Sequence, residues 1–376
     1  MPWKNKILIF QKIGLWSFKS YAQSTFDFSN RVVCITGPNG VGKTNLLDAI
    51  SYCCWGKSYF QSTDKQCVKA GADFFRVQGT IEVDPGENHD IALTYKMGSG
   101  KELSWNDKVY ERLSDHLGKI PLVVVSPDDI IEFLSGSKER RRFMDFTLSQ
   151  YDKKYLQALM EYRRLLKQRN AYLKKYDDSR LLDKTLLRTM GHQMDSPATY
   201  IFRKRESFMS SFSPAVQERH QFISGKNESV SCVYRSPLHK ASFSEWVEEN
   251  LEKDMVLQRT AQGVHKDDMK VLIDGAPLKI RASQGQQKSF ILSLKTAQFQ
   301  WLYEKLNKQP ILLVDDFFEK LDRNRLSSLM KMVVEMDFGQ IFLTDTDKTR
   351  VSELFQMNSI PFQLIEIPSQ RMMEEE

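Results

Sequence analysis

Long apolar runs are missing from this sequence. No stretch of about 18 consecutive apolar residues occurs, which excludes a conventional membrane-spanning helix. The first residues carry no apolar segment of the secretory kind. Cysteine is scarce, with 5 in 376 residues. Cys34, Cys53, Cys54, Cys67 and Cys232 form no C-x-x-C pair, and no Cys/His group has zinc spacing. Reduced thiols and a cytoplasmic location are therefore expected. No internal repeat and no low-complexity segment is present. Charge imbalance is also small, at +6. That is compatible with a nucleic-acid partner without demanding one. The length corresponds to about two domains, and a hydrophobic content of 41% supplies an ordinary core.

What is present begins with Gly37-Pro38-Asn39-Gly40-Val41-Gly42-Lys43-Thr44-Asn45, which fits the phosphate-loop pattern G-x-x-x-x-G-K-[ST] without a mismatch. Val32–Ile35 before it reads as a buried strand, and Leu46–Ile50 after it continues as a helix. Glycines let the backbone wrap phosphate oxygens where a side chain would clash. The loop N–H groups and the helix N-terminus then face the anion. Lys43 is placed to reach the β- and γ-phosphates, and the Thr44 hydroxyl to bind Mg²⁺. A glycine-rich turn without a ligand is the bland alternative, and the strand–loop–helix context counts against it.

Alternation predicts a hairpin from residues 74–83 and 89–97 around Asp84-Pro85-Gly86-Glu87-Asn88. Strands are also predicted at 7–10, 25–28, 121–125, 229–233, 269–273, 311–314, 340–344 and 362–367. Tyr155, Leu159, Tyr162 and Leu166 fall at helical spacing, and a further helix is predicted at 200–212. Basic residues crowd this region: Arg140, Arg141, Arg142, Lys153, Lys154, Arg163, Arg164, Lys167, Arg169, Lys174 and Lys175, then Arg203, Lys204 and Arg205. A DNA-facing arm and a solvated face balanced by Asp152, Glu161, Asp177 and Asp178 are equally compatible with that pool.

Two further motifs narrow the chemistry. Asp315-Asp316 follows the apolar run Ile311–Val314. Beside a phosphate loop, Asp315 suits the Mg²⁺ shell, and Asp316 suits a base that orients or deprotonates the attacking water. Ser283-Gln284-Gly285-Gln286 opens a helix through Phe290, Leu294, Ala297 and Trp301. As a plain N-cap it is unremarkable. In this order with the other two motifs it resembles the signature of ABC-type ATPases, where the signature of one protomer closes over the γ-phosphate held by the other. The resemblance implies that role for Ser283, Gly285 and Gln286.

The chain as a whole resembles the RecF family, bacterial recombination mediators in the SMC-like branch of ABC ATPases. The matching pieces run in family order: the phosphate loop, Gly56-Lys57-Ser58, Ser126-Pro127-Asp128-Asp129, and Lys138 to Asp145. Leu166 to Asn170, Gly263 to Asp268, Ala282 to Gln287, and Ile311 to Asp316 complete the set. The resemblance implies an α/β fold, with an ABC-type P-loop ATPase lobe and an inserted, mainly helical second lobe. The expected segments are 1–120, 121–304 with the basic arm and signature, and 305–376. It implies ATP as the nucleotide, weak ATPase activity, and an ATP-dependent homodimer on double-stranded and gapped DNA. RecR and RecA as partners, and roles in repair, replication and the SOS response, follow from it too. Asp322 matches the D-loop acid.

The chain departs from the family at Lys19 and Lys57, where members usually carry Arg. It also carries Glu319 where Ser is usual, and Thr344 where many ABC ATPases have His. The alternatives are a transporter's ATPase subunit and a defence paralogue lacking the RecR and RecA partners. A structural SMC protein requires a longer heptad coiled coil than this arm provides.

Overall fold

The computed structural model describes residues 7–175, 182–225, 228–316 and 338–368. They divide into two compact units. The first lies within Met1–Ile130, Phe222–Gly225 and Ile291–Glu376, the second within Ile131–Gln221 and Lys226–Phe290. No described helix is long and apolar enough to cross a membrane.

The first unit is built on two sheets. One is parallel, with strand order Gln363–Glu366, Val32–Thr36, Ile341–Asp345, Ile311–Val314 and Leu122–Val125. The four strands other than Gln363–Glu366 are buried along their whole length. Continuous β-branched and leucine runs do this because both faces of a parallel sheet are covered. Register places Thr36 opposite Asp345, and Leu343 opposite both Cys34 and Val314. The chain therefore leaves three neighbouring strands at one sheet end, at Gly37, at Asp315 and just past Asp345. Ligands of open α/β sheets bind at that end.

The other sheet is antiparallel, in the order Tyr21–Asp27, Ile9–Phe18, Phe74–Asp84, Glu87–Lys96, Gly100–Trp105 and Lys108–Val109. Its inward positions alternate, with Phe75, Val77, Ile81, Ile91, Leu93 and Leu103 buried. The helix Lys43–Trp55 packs against strands of both sheets. The first strand continues well beyond the predicted 7–10, to Phe18. The two short strands after residue 99 had no predicted counterpart, because Gly100–Trp105 buries only Leu103 and so lacks an apolar period.

In the second unit the helices Ser137–Tyr151 and Lys153–Leu173 accompany a three-stranded sheet and all but the last turn of one helix of 41 residues, Lys184–Ser224. The long helix absorbs the predicted 200–212 segment and runs on through Pro197 and Pro214. Proline inside a helix normally costs ~3 kcal/mol or more, which is why its length was not legible. In Lys153–Leu173 the buried stripe is Tyr155, Leu159, Tyr162, Leu165 and Arg169, not Leu166.

Polar groups hold this unit's centre. Arg205 is 2% exposed and lies 2.7 Å from Asp145 and 2.6 Å from Asp267. It also donates to Tyr155 Oη and the Val264 carbonyl. Arg169, fully buried, pairs with Asp254 at 2.6 Å and with Thr260 Oγ1 at 2.7 Å. Removing one partner of such a network strands a buried charge. Arg205→Met is expected to lose about 3–5 kcal/mol of unfolding free energy in urea.

In the first unit, buried His116 donates from Nε2 to the Cys53 carbonyl at 2.6 Å, and its Nδ1 lies 3.3 Å from Tyr110 Oη. Burial lowers its pKa from 6.5 to about 4. The unfolded chain takes up this proton as pH falls below about 6.5, while the folded chain refuses it until about 4. Stability is therefore expected to fall across that window and to level off beneath it. Unfolding titrations of His116→Gln should show a shallower slope between pH 6.5 and 4.

Candidate functional site: a phosphate loop beside paired acids

The loop is shaped by backbone that only glycine tolerates. Gly37 has φ +148, and a Cβ there would lie 2.4 Å from the Ile367 carbonyl oxygen. Gly42 has φ +112, and a Cβ there would lie 2.8 Å from Ser20 Oγ. Gly42 is also the N-cap of helix Lys43–Trp55, with no side-chain cap hydrogen bond. The first-turn N–H groups thus point into the loop as donors for an anion. Lys43, 4% exposed, folds its ammonium over the loop and donates to the Gly37 and Pro38 carbonyls at 2.9 and 3.1 Å.

Neighbouring turns brace this arch. Tyr21 Oη donates to the Gly42 carbonyl at 3.0 Å, and Asn45 Nδ2 donates to Ser20 Oγ at 2.8 Å. Lys19, at φ +52, places its ammonium 2.6 Å from buried Asp48, one turn beyond Thr44 on the loop helix. Ser58 Oγ and the Tyr59 N–H also donate to Asp48. A single point charge satisfies this pocket, so the Lys19 departure keeps its structural partner. Sequence reading missed Tyr21 and Asp48, because nothing local marks a tyrosine or a helical aspartate as a loop support.

Of the two acids, Asp315 lies against the loop helix. Thr44 Oγ1 lies 2.9 and 3.0 Å from the two carboxylate oxygens of Asp315. Thr344 Oγ1 donates to Asp315 Oδ1 at 2.8 Å and accepts from the Asp316 N–H at 2.8 Å. Thr344 thereby fixes both acids. Burial raises the Asp315 pKa and the charge of Asp316 adds to it, while the Thr344 and Thr44 hydroxyls oppose the rise. Asp316 sits at φ +39, a left-handed conformation unusual for a non-glycine residue, and is only partly buried.

Ser283, Gly285 and Gln286 belong to the second unit. They form a reciprocal cap on the helix Gln284–Leu306. Ser283 N–H donates to Gln286 Oε1 at 2.7 Å, and Gln286 N–H to Ser283 Oγ at 3.3 Å. Ser283 is exposed. Asp322 and Glu319 lie outside the described residues.

The structure also sorts the basic pool. Arg140 pairs with Asp268, Arg163 with Asp145, Lys204 with Asp152 and Arg142 with Glu139. Arg141 donates to the Asp267 carbonyl. Arg169 and Arg205 are internal. Lys153, Lys154, Arg164 and Lys167 remain exposed on the helix Lys153–Leu173, with no acidic partner among the described residues.

This donor set fits a nucleotide with a hard divalent cation. The arch supplies N–H groups and one ammonium, while Thr44 and Asp315 supply adjacent oxygens. Mg²⁺ takes few protein ligands besides phosphate oxygens and water. Among the described residues no cluster of three or more His, Cys, Asp or Glu is placed to hold a metal on its own.

Comparison with known proteins agrees with the geometry. The AAA domain family model matches residues 12–229, more than half the chain. The DNA replication and repair protein RecF of Flavobacterium johnsoniae is 40% identical over 343 residues, covering 91% of this chain and 95% of that one. A solved structure of the recombination mediator RecF with ATP, from the RecFOR pathway, superposes with a TM-score of 0.85 at 26% identity. It covers 93% of this chain and 95% of that one. An Smc head domain from Pyrococcus furiosus, bound to part of ScpA, shares the fold at 18% identity and a TM-score of 0.55, over 92% of each chain. The fold is thus an ABC-type P-loop ATPase lobe with an inserted, mainly helical lobe, and the chain belongs to the RecF family of DNA replication and repair proteins.

Proposed function

We propose that this chain binds ATP in the Gly37–Asn45 loop and hydrolyses it slowly as part of an ATP-dependent dimer on DNA. The observation that carries the reading is the contact of Thr44 with Asp315, itself tied through Thr344 to Asp316. Lys43 and the loop N–H groups hold the phosphates. Thr44 and Asp315 would hold Mg²⁺, which neutralises charge on the transferred phosphoryl group. Asp316 accepts the proton of the attacking water. Ser283, Gly285 and Gln286 of a second copy close over the γ-phosphate, and Asp322 of the D-loop joins that interface. The dimer engages double-stranded DNA at gaps and single-strand/double-strand junctions and helps RecR and RecA load. The family relatives favour this reading over a transporter subunit or a defence paralogue.

Asp316→Asn should leave Mg²⁺-ATP binding intact while hydrolysis drops by about 10²–10⁴-fold, the range of a general base. Its ATP-bound dimer should persist in light scattering. Ser283→Arg should bind ATP as a monomer and neither dimerise nor hydrolyse. ATP-dependent dimers of Ser283→Arg would refute the composite site.

For DNA, the helix face carrying Lys153, Lys154, Arg164 and Lys167 is the proposed phosphate contact. Affinity should be sequence-independent and fall steeply with salt, because phosphate contacts release counterions. Arg164→Glu with Lys167→Glu should weaken binding on all sequences and reduce the log–log salt slope by roughly one per lost contact. Arg163→Glu, by contrast, should act mainly through its ion pair with Asp145 and hence through stability. An unchanged salt slope in the Arg164/Lys167 variant would remove this face from the DNA site.

A further inference from the structure

The signature segment is held by a relay that the phosphate chemistry does not itself require. Gln286 Oε1 accepts from the Ser283 N–H at 2.7 Å. Its Nε2 is then left facing outward, and donates to Glu228 Oε1 at 3.1 Å. The other oxygen of that carboxylate, Oε2, lies 3.0 Å from Nε2 of His220, which is fully buried on the helix Lys184–Ser224. Glu228 is itself only 11% exposed in its side chain. Its backbone is fixed as well. Gln217 Nε2 donates to the Glu228 carbonyl at 3.1 Å, and the same Gln217 accepts from the Val230 N–H. The next residue, Ser229, exchanges hydrogen bonds with Asp274, at 3.0 Å to its side chain and 2.7 Å from its backbone N–H.

An amide side chain has two faces that differ only in which atom donates. A backbone N–H on one side and a carboxylate on the other leave Gln286 a single acceptable orientation. With that orientation fixed, the Ser283 backbone is held and its Oγ accepts the Gln286 N–H, so the serine proton stays available to donate outward. A phosphate oxygen of a second copy's nucleotide is the acceptor this arrangement suits.

We propose that Glu228, braced by His220, is a positioning residue for the Ser283–Gln286 signature. It acts through Gln286, without touching the nucleotide, to set how tightly the second copy's γ-phosphate is gripped. The proposal rests on the composite-site reading given above. It assigns Glu228 a role in dimer closure and turnover, and none in ATP binding by the monomer.

The test is a double-mutant cycle on Glu228→Ala and Gln286→Ala in the full chain, read by ATP titration of the monomer, ATP-dependent light scattering and kcat. Each single variant should keep monomer ATP affinity within about twofold and weaken ATP-dependent dimerisation and kcat by about tenfold, within the range seen for residues in direct contact. The double variant should be no worse than either single. Glu228→Gln should restore dimerisation, since its carbonyl still accepts from the Gln286 amide. This conservative variant keeps the question decidable if Glu228→Ala folds poorly. Independent, additive losses, or failure of rescue by Glu228→Gln, would overturn the assignment. So would normal dimerisation of Glu228→Ala while Ser283→Arg abolishes it. If Ser283→Arg dimerises too, the composite site itself falls, and this positioning role with it.

Discussion

A carboxylate buried at the end of a strand is tolerable only if something replaces its water, and Asp315 is such a carboxylate. Its solvation comes from two threonine hydroxyls that approach from different parts of the chain, Thr44 on the loop helix and Thr344 on the adjacent strand. The parallel sheet exists in the register that makes this possible, with Leu343 beside Val314 and Cys34. The loop arch, the acid pair and the brace from Tyr21 are arranged around that point. A one-residue slip of any strand would turn these side chains to the opposite face. The register of the core and the chemistry of the site are therefore one constraint.

Much of this was legible because the relevant signals are local. Gly37 to Asn45 announces its own backbone conformation, and four apolar residues before Asp315 announce a buried strand with a polar end. The signature stretch was legible as a cap, and the structure shows that cap. What stayed hidden depends on partners far away in sequence. Thr344 stands out in the sequence only as a departure at a histidine position, and its hold on both acids shows only once Asp315 is placed beside it. Asp48 reads as a polar position on a helix until Lys19 reaches it.

The basic pool shows the same limit from the other side. By composition Arg169 and Arg205 were indistinguishable from Arg164 and Lys167. Burial separates them, because a charge can enter the interior only where acids and carbonyls converge, as Asp145, Asp254 and Asp267 do. The helical period was read correctly in kind but displaced by one residue, at Leu165 in place of Leu166. An arginine on the buried stripe, Arg169, broke the apolar pattern that periodicity relies on.

The order of strands in the parallel sheet has a consequence for biosynthesis. Thr44 and Asp315 are separated by 271 residues. At ribosomal speeds of about 5–20 residues per second, roughly 14–54 s pass between them. Throughout that interval Val32–Thr36, a buried and mostly apolar central strand, has been made without either of the strands it will pair with, Ile341–Asp345 on one side and Gln363–Glu366 on the other. The nascent chain thus holds an unpaired hydrophobic edge while the whole second unit is translated. Such edges attract other chains. The parallel sheet can accordingly close only once the last third of the chain has left the ribosome.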